Sequence, residues 1–252
     1  MSDESPSPRL PYPLEACALL LDVDGTLVDL APTPREVFVP RDLRLSLAAL
    51  HKRLGGAVAF VSGRPVSELD LMFAPLALPA VGGHGAEFRL DPAESVEPVG
   101  LAPLPAAVKR RFAAIAEESP GIIVEDKSHS IALHYRLAPD QESYVRKAAA
   151  VVRDELDMPL ELLEGKSVVE VKQVGFNKAT AVREIMKRRP FNGRRPVFLG
   201  DDTTDEPVFP VIAELGGIGF SVGRRIPGVR GHFGEPRDVR RWLEILAMGT
   251  TP

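Results

Sequence analysis

Residues 18–27 read Ala18-Leu19-Leu20-Leu21-Asp22-Val23-Asp24-Gly25-Thr26-Leu27, a short apolar run that ends abruptly in two carboxylates. Such a run, bounded by a turn signal, predicts a buried strand. The side chains of Asp22 and Asp24 can reach a common point beyond the carboxyl edge of the sheet, where open α/β sheets bind ligands. Two close carboxylates repel each other, which indicates a cation site or a proton-transfer site; an ordinary Asp-Gly turn is the alternative.

The composition is typical of a globular protein. The chain has 252 residues, of which 44% are hydrophobic and 26% charged, and its formal net charge is -4. The negative charge argues against a nucleic-acid partner, and no apolar run is long enough to predict a membrane-spanning helix. The single Cys17 cannot form an internal disulfide and is expected to be a small buried hydrophobe.

The N-terminal residues 1–14 begin with a polar, acidic and proline-rich segment. This segment lacks the basic start and apolar centre of a secretory signal, so we predict a disordered tail. We therefore expect a cytoplasmic protein without a membrane or nucleic-acid partner, and a monomer.

Two further strand ends carry polar groups. Residues 57–61 predict a buried strand that ends at Ser62-Gly63-Arg64, and residues 196–200 predict another that ends at Asp201-Asp202-Thr203-Thr204-Asp205-Glu206. Lys178 begins a helix shortly before the second of these strands. A serine cap at the first strand end and helix caps at Asp202 and Asp205 are the structural alternatives.

The carboxyl ends of adjacent parallel strands meet at one crevice. Carboxylates gathered there would hold one hard cation, Mg²⁺, while the lysine and the hydroxyl would contact phosphate oxygens. A carboxylate attacks phosphorus only when the charge repulsion between them is neutralised, and Asp24 would then protonate the leaving oxygen and activate water. The pattern therefore predicts cleavage of a phosphate monoester.

Residues 101–174 have a different pattern, in which a helix and a strand pair are followed by a second helix and a second strand pair. This order predicts a compact α+β unit inserted between the two halves of a larger domain. We thus predict an α/β protein with a Rossmann-like parallel-sheet core over residues 15–100 and 175–252 and a smaller inserted α+β unit over 101–174.

The four polar motifs resemble, in type and order, those of the haloacid dehalogenase superfamily: Asp22-Val23-Asp24-Gly25-Thr26-Leu27, Ser62-Gly63-Arg64, Lys178 and Gly200-Asp201-Asp202-Thr203-Thr204-Asp205-Glu206. The inserted unit resembles the cap of trehalose-6-phosphate phosphatases on the stretches Glu125-Asp126-Lys127, His134-Tyr135-Arg136 and Gly165-Lys166-Ser167-Val168-Val169-Glu170-Val171-Lys172. The loop Gly83-His84-Gly85-Ala86-Glu87 is similar to a loop of that family. The resemblance covers roughly residues 15–247.

The resemblance implies catalytic roles for residues of the core. Asp22 would be the phosphate-accepting nucleophile and Asp24 the general acid and base. Ser62 and Lys178 would hold the phosphoryl group. The implied Mg²⁺ ligands are Asp22, the backbone carbonyl of Asp24 and Asp201, with Asp205 in support.

The resemblance also implies a sugar site. Three cap residues would hydrogen-bond glucose hydroxyls: Glu125, Lys127 and Glu170. Three further residues would line the same pocket: Arg64, His84 and Arg136. Charged side chains suit a polyhydroxylated sugar, because its hydroxyls both donate and accept hydrogen bonds. A cap of this kind is expected to close over the crevice, which controls the access of water.

The implied activity is Mg²⁺-dependent hydrolysis of trehalose 6-phosphate to trehalose and phosphate through an aspartyl-phosphate intermediate, the last step of trehalose biosynthesis. One alternative is another sugar phosphatase, for sucrose phosphate or a glucosylglycerate phosphate. A second alternative is a sugar-phosphate-binding regulator without turnover, although a pure binder has no need for the nucleophile. Two departures from the family pattern stand out: Ala179 after the motif lysine, and the absence of a threonine-containing loop over residues 222–230.

Overall fold

The computed structural model of the protein describes residues 8–98 and 102–249. The strands are β1 (Cys17–Leu21), β2 (Val58–Val61), β3 (Ala80–Gly82), β4 (Glu87–Arg89), β5 (Glu97–Pro98), β6 (Ile123–Asp126), β7 (Ser130–His134), β8 (Leu160–Gly165), β9 (Val168–Gln173), β10 (Arg195–Gly200), β11 (Ile218–Val222) and β12 (Gly231–Phe233). The α-helices are α1 (Arg41–Arg53), α2 (Val66–Phe73), α3 (Ala106–Glu117), α4 (Glu142–Asp154), α5 (Lys178–Ile185), α6 (Val208–Glu214) and α7 (Pro236–Ala247).

Two separate sheets organise these elements. The larger sheet has the strand order β12-β11-β10-β1-β2-β3-β4-β5 and is parallel from β12 to β3. The smaller sheet has the order β6-β7-β9-β8 and is antiparallel throughout. The Rossmann-like core with a distinct α+β unit is the fold class that the sequence predicts, and this prediction is confirmed.

Strand β1 lies at the centre of the larger sheet, between β2 and β10. Each of its residues, Cys17 included, is fully buried. A parallel strand covered on both faces needs apolar side chains in both directions, which explains its continuous apolar run. The chain leaves β1 towards β2 on one side and later returns through β10 on the other. Ligand crevices of open α/β sheets form at such a reversal of strand order. Asp22 and Asp201, which directly follow β1 and β10, therefore both lie at the crevice.

The smaller sheet has one apolar face and one polar face. Ile131 and Leu133 of β7 and Val169 and Val171 of β9 pack with α3 and α4 in a second hydrophobic core. Because side chains alternate along a strand, the residues between them project from the opposite face. On β9 this opposite face carries Glu170, one of the residues predicted to bind sugar.

The N-terminal segment differs in part from the prediction of a disordered tail over residues 1–14. Trp242 donates a hydrogen bond from Nε1 to the Pro8 carbonyl at 2.7 Å, and Leu14 is buried. Leu10 and Tyr12 also pack against the large core, because the tail covers an apolar edge there. Residues 1–7 lie outside the described residues. The boundaries 15–100, 101–174 and 175–252 stay predictions.

Within residues 8–98 and 102–249, no helix combines the length and apolar character needed to cross a membrane.

Candidate active site

A cavity lies where the carboxyl ends of β1, β2 and β10 meet the polar face of the smaller sheet. Most predicted site residues line it: Asp22, Asp24, Ser62, Arg64, His84, Glu125, Lys127, Arg136, Glu170, Lys178 and Asp201. Asp205 is fully buried behind this lining. The two groups of residues that the sequence assigns to chemistry and to sugar binding therefore share one cavity.

Lys178 connects two buried carboxylates at the floor of the cavity. Its Nζ donates to Oδ1 of Asp22 at 2.7 Å and to Oδ1 of Asp205 at 2.8 Å. Burial disfavours the charge of Lys178, but the carboxylates of Asp205 and Asp22 outweigh it and raise the pKa of the ammonium. Burial and the nearby Asp205 raise the pKa of Asp22 well above its usual range, although Lys178 opposes this shift. Lys178 thus offsets the repulsion between the buried carboxylates of Asp22 and Asp205.

Asn177 fixes the position of this lysine in the chain. Its side chain accepts a hydrogen bond from the backbone N–H of Thr180 at 2.9 Å and so caps α5. Asparagine is among the preferred caps, because it satisfies an N–H group that lacks a partner inside the helix. Lys178 is the first residue of α5, so the cap directs where its side chain starts. The following Ala179 is helical and buried, as expected of a residue with high helix propensity.

Three carboxylates at the crevice are close enough to bind one metal ion. Asp22, Asp201 and Asp205 each place an oxygen within 4.8 Å of the others. Asp205 also accepts hydrogen bonds at Oδ2 from the backbone N–H groups of Asp201 at 3.0 Å and Asp202 at 3.1 Å. Burial raises the pKa of Asp201, and the hydrogen bond from Lys166 offsets only part of that effect. A cation would relieve the repulsion among these groups.

Gly25 is required by the closeness of Asp201. Its φ is +79°, in the left-handed region that favours glycine. A Cβ at this position would lie 2.7 Å from Cγ of Asp201. Thr26 also donates to Oδ1 of Asp201 at 3.3 Å. The Gly25-Thr26 pair therefore lets the chain turn after the two aspartates without displacing Asp201.

Arg64 forms a bidentate ion pair with Asp24. Its Nε lies 2.6 Å from Oδ2 of Asp24, and its Nη2 lies 2.8 Å from Oδ1. The backbone N–H of Arg64 donates to Oγ of Ser62 at 3.1 Å, which orients the hydroxyl of that buried residue. Arg64 thus contacts two predicted catalytic side chains. Its backbone N–H contacts Ser62, and its guanidinium contacts Asp24.

The polar face of the smaller sheet carries a buried network centred on Glu170. Lys127 donates to Oε2 of Glu170 at 2.8 Å, and Ser130 donates to Oε1 at 2.5 Å. His84, from the turn after β3, places Nε2 3.2 Å from Glu170 Oε2. Burial alone would raise the pKa of Glu170, but Lys127 and His84 hold it well below its usual range. The carboxylate is therefore ionised and available as a hydrogen-bond acceptor.

Glu125 lies beside this network with its own partner. His134 places Nε2 2.7 Å from Oε2 of Glu125, and Lys127 Nζ lies 3.7 Å from the same oxygen. The contact with His134 lowers the pKa of Glu125 despite burial. The two carboxylates of Glu125 and Glu170 likewise hold the pKa of the buried Lys127 above its usual value. All three predicted sugar-binding residues are thus charged and adjacent.

Several contacts join the smaller sheet to the core around the cavity. Lys166, in the β8–β9 turn, donates from Nζ to Oδ2 of Asp201 at 2.5 Å. Arg136 donates to the Ala31 carbonyl at 2.5 Å, and His84 contacts Glu170 as described above. The cap therefore covers the crevice in this structure.

Lys166 and His134 are two charged or titratable residues of the cavity lining that were not among the predicted site residues. Lys166 lies in a quoted motif, but a lysine in a hairpin turn is usually a solvated residue, so its residue type gives no signal. His134 and Tyr135 are consecutive residues at the end of β7, so one of them faces the small core and the other faces the cavity. The structure buries Tyr135 in that core and turns His134 to the cavity, so strand parity combined with the apolar Ile131 and Leu133 would have decided it.

The segment of residues 222–230, which departs from the family pattern, lies away from the cavity. Gly223 donates its N–H to the Phe233 carbonyl at 2.9 Å, and Arg224 pairs with Glu206 on the surface. Among the described residues that line the cavity, none belongs to this segment. Its divergence therefore leaves the lining of the cavity unchanged.

Comparison with known proteins identifies the family. The family model described as trehalose-phosphatase matches residues 20–228. A probable trehalose-phosphate phosphatase of Sinorhizobium fredii is 40% identical over 216 residues, which cover 85% of this chain and 80% of that protein. The trehalose-6-phosphate phosphatase of Escherichia coli is 36% identical over 233 residues, covering 91% of this chain and 86% of that protein.

A solved structure agrees at the level of the fold. The C-terminal domain of the C. albicans trehalose-6-phosphate phosphatase superposes with a TM-score of 0.82, at 22% identity, over 99% of this chain and 100% of that one. On the family model and the two relatives, the chain belongs to the trehalose-phosphatase family.

Proposed function

We propose that the protein hydrolyses trehalose 6-phosphate to trehalose and phosphate, with Mg²⁺ as the cofactor. Its two relatives from S. fredii and E. coli are named for this activity. The observation that carries the proposal is the shared cavity. A lysine-bridged carboxylate cluster forms one wall, and a charged group suited to sugar hydroxyls forms the facing wall.

The carboxylate cluster fits a hard divalent cation. Oxygen ligands are those that Mg²⁺ prefers, and the carboxylates of Asp22 and Asp201 lie close together at the crevice. The family resemblance adds the backbone carbonyl of Asp24 as a further ligand. Both oxygens of Asp205 already accept hydrogen bonds from Lys178 and the Asp201 and Asp202 backbone, so Asp205 supports the site rather than opening to it. The Lys166 ammonium contacts Asp201, so this carboxylate already has a positive charge beside it in the structure. When bound, Mg²⁺ would neutralise the repulsion between the nucleophile and the phosphoryl oxygens.

Asp22 acts as the nucleophile in the first step of the proposed reaction. One carboxylate oxygen of Asp22 forms a bond to phosphorus, and the bond between phosphorus and the sugar oxygen breaks. Lys178 and the Ser62 hydroxyl contact the phosphoryl oxygens and balance their charge. Asp24 gives its proton to the departing sugar oxygen, so trehalose leaves as an alcohol.

The second step hydrolyses the aspartyl-phosphate. Asp24, now a carboxylate, takes a proton from water while the water oxygen bonds to phosphorus. The bond between phosphorus and the Asp22 oxygen then breaks, and phosphate leaves with Asp22 restored. Asp24 can serve in both steps, because the proton that it gives to the sugar oxygen in the first step is replaced by the proton that it takes from water in the second.

Substrate recognition is assigned to the facing wall. Glu125, Lys127 and Glu170 bind glucose hydroxyls, and His84 and Arg136 border the same space. Glu170 and Glu125 are ionised acceptors, while Lys127 is a donor, so the set can pair with hydroxyls in both directions. We assign this wall to a cap spanning residues 101–174 that opens for substrate entry.

The proposal extends to a monomer, because one chain supplies both walls of the cavity. Size-exclusion chromatography with light scattering measures this directly, and a dimer mass would contradict it. The cytoplasmic compartment stays a prediction from sequence.

Phosphate release from purified protein tests the proposed function. The panel contains trehalose 6-phosphate, sucrose 6-phosphate, a glucosylglycerate phosphate and glucose 6-phosphate, each with Mg²⁺ and with a chelator. We expect Mg²⁺-dependent release that is fastest for trehalose 6-phosphate, and none from Asp22→Asn. Preference for another sugar phosphate would replace the substrate, and tight sugar-phosphate binding without turnover would indicate a regulator.

A further inference from the structure

The guanidinium of Arg64 is surrounded by acceptors from three segments of the core. Besides the bidentate pair with Asp24, its Nη2 donates to the Pro34 carbonyl at 3.1 Å. Its Nη1 donates to Oε2 of Glu68, one turn ahead in α2, at 3.2 Å. The Arg64 side chain is 9% exposed, whereas that of Asp24 is 29% exposed. The arginine is therefore the more buried partner and is held by several acceptors, while Asp24 is the more exposed of these two cavity-lining residues.

These contacts leave the arginine little capacity to bind a sugar. A guanidinium has five N–H groups. Two are directed at Asp24, one at Pro34 and one at Glu68, which leaves one without an assigned acceptor. A bidentate arginine–carboxylate pair also fixes the plane of the carboxylate as well as its position. Arg64 thus lines the cavity as the resemblance implies, but most of its N–H groups already have protein acceptors.

We propose that Arg64 is a positioning residue for the acid and base of the reaction: its two contacts hold the Asp24 side chain at the leaving oxygen and stabilise the carboxylate that Asp24 becomes as its proton moves to that oxygen. This inference rests on the proposed function, since it assigns Asp24 the proton transfer. The backbone of the same turn orients Ser62, so one short segment after β2 aligns the hydroxyl at the phosphoryl group and the acid at the leaving group.

The leaving group provides a selective test of this role. Trehalose is a poor leaving group and needs a proton when its bond to phosphorus breaks. p-Nitrophenolate is a good leaving group and departs without one. A residue that acts through the acid therefore affects kcat/KM for trehalose 6-phosphate far more than for p-nitrophenyl phosphate, because kcat/KM reports the first bond cleavage in both reactions.

The variants are Arg64→Ala and Arg64→Lys, with Arg89→Ala as a matched control. Arg89 is also a buried arginine in a bidentate pair, with Asp70 at 2.5 Å and 2.6 Å, and it does not line the cavity. We expect Arg64→Ala to lower kcat/KM for trehalose 6-phosphate about 100-fold, as misplacement of a catalytic group does. Its kcat/KM for p-nitrophenyl phosphate stays close to wild type. Arg64→Lys keeps the positive charge but loses the paired N–H groups that bind both carboxylate oxygens. Its kcat/KM for trehalose 6-phosphate should therefore lie between those of the wild type and Arg64→Ala.

A double mutant isolates the path through Asp24. If Arg64 acts only by orienting Asp24, then Arg64→Ala costs little more once Asp24→Asn has already removed the acid. Thermal unfolding of each variant, compared with Arg89→Ala, separates a loss of fold from a loss of alignment. Should Arg64→Ala not fold, Arg64→Lys carries the same comparison.

Three results would overturn the proposal: equal losses on both phosphates, a higher KM for trehalose 6-phosphate with unchanged kcat, and additive losses in the Asp24→Asn background. A higher KM alone would return Arg64 to sugar binding. Failure of the proposed function looks different, because the wild-type protein would then release no phosphate from trehalose 6-phosphate. In that case the comparison uses whichever sugar phosphate the wild type hydrolyses.

Discussion

Replacing Lys178 with methionine tests whether the lysine neutralises the carboxylates at the cavity floor. Methionine has similar length but no charge, so Asp22 and Asp205 lose a cation at 2.7 and 2.8 Å in a site where Lys178 is 3% exposed. Removing one partner of a buried ion pair costs about 3–5 kcal/mol of unfolding free energy. We expect a loss of this size at pH 8 in the presence of a chelator.

The pH dependence of that loss follows from the pKa of Asp22. Because burial and Asp205 raise its pKa in the folded protein, a lower pH adds protons to the folded state and relieves the repulsion that Lys178→Met exposes. Lys178 itself has a raised pKa, so in the wild type its charge is present at both pH 5 and pH 8. The difference in stability between wild type and variant should therefore be smaller at pH 5.

Urea unfolding followed by tryptophan fluorescence measures both values, since Trp242 is the single tryptophan and is fully buried. Lys187→Met is the control, because Lys187 pairs with Glu184 on the surface with side chains 67% and 50% exposed. It should change stability by less than about 0.5 kcal/mol. A Lys178→Met loss below about 1 kcal/mol at pH 8 would refute the reasoning, since ordinary single substitutions cost as much. Equal losses at both pH values would refute the electrostatic cause.

Three further substitutions test other parts of the cavity. Glu170→Gln weakens the charged contacts with Lys127 and His84. We therefore expect KM for trehalose 6-phosphate to rise about tenfold, while the hydrolysis of p-nitrophenyl phosphate stays unchanged. An unchanged KM for trehalose 6-phosphate would show that Glu170 does not bind the sugar. Gly25→Ala places a methyl group 2.7 Å from Cγ of Asp201, and kcat should fall about 100-fold; near-normal kcat would show that the turn adapts. Lys166→Ala frees Asp201 of an ammonium at 2.5 Å, so calorimetry should show tighter Mg²⁺ binding, and weaker or unchanged binding would contradict competition between the two cations.

The position of the predicted catalytic groups could be inferred from sequence, because the end of a buried strand is marked by the change from apolar to polar residues. A central parallel strand needs an unbroken apolar run, so the point where β1 gives way to Asp22 marks the edge of the sheet. The same logic applies to Ser62 after β2 and to Asp201 after β10. Parallel topology then brings these ends together without any knowledge of side-chain conformation.

The partners of the long charged side chains could not be predicted in this way. Arg64 has a flexible stem, and the residue type alone does not distinguish a contact with sugar from a contact with Asp24. Lys166 reaches Asp201 over 35 positions in sequence, across the boundary between the two sheets. Such contacts depend on how the smaller sheet is placed over the crevice, which strand patterns leave undetermined.

The placement of Lys166 links cap position to the charge at the crevice. With the cap over the site, an ammonium from the β8–β9 turn neutralises part of the negative charge on Asp201. If the cap opens, Asp201 loses that partner and becomes a better ligand for a cation, and repulsion among Asp22, Asp201 and Asp205 increases until one binds. Mg²⁺ entry would thus be favoured in the open form, and substrate phosphate, arriving next, supplies the anion that the Lys166 ammonium can approach on closure. This order of events predicts that Lys166→Ala strengthens the binding of Mg²⁺ in the absence of substrate and weakens the binding of an inert phosphate mimic. If calorimetry gave shifts of the same sign for both ligands, Lys166 would have to act in some way other than by exchanging one charge for another.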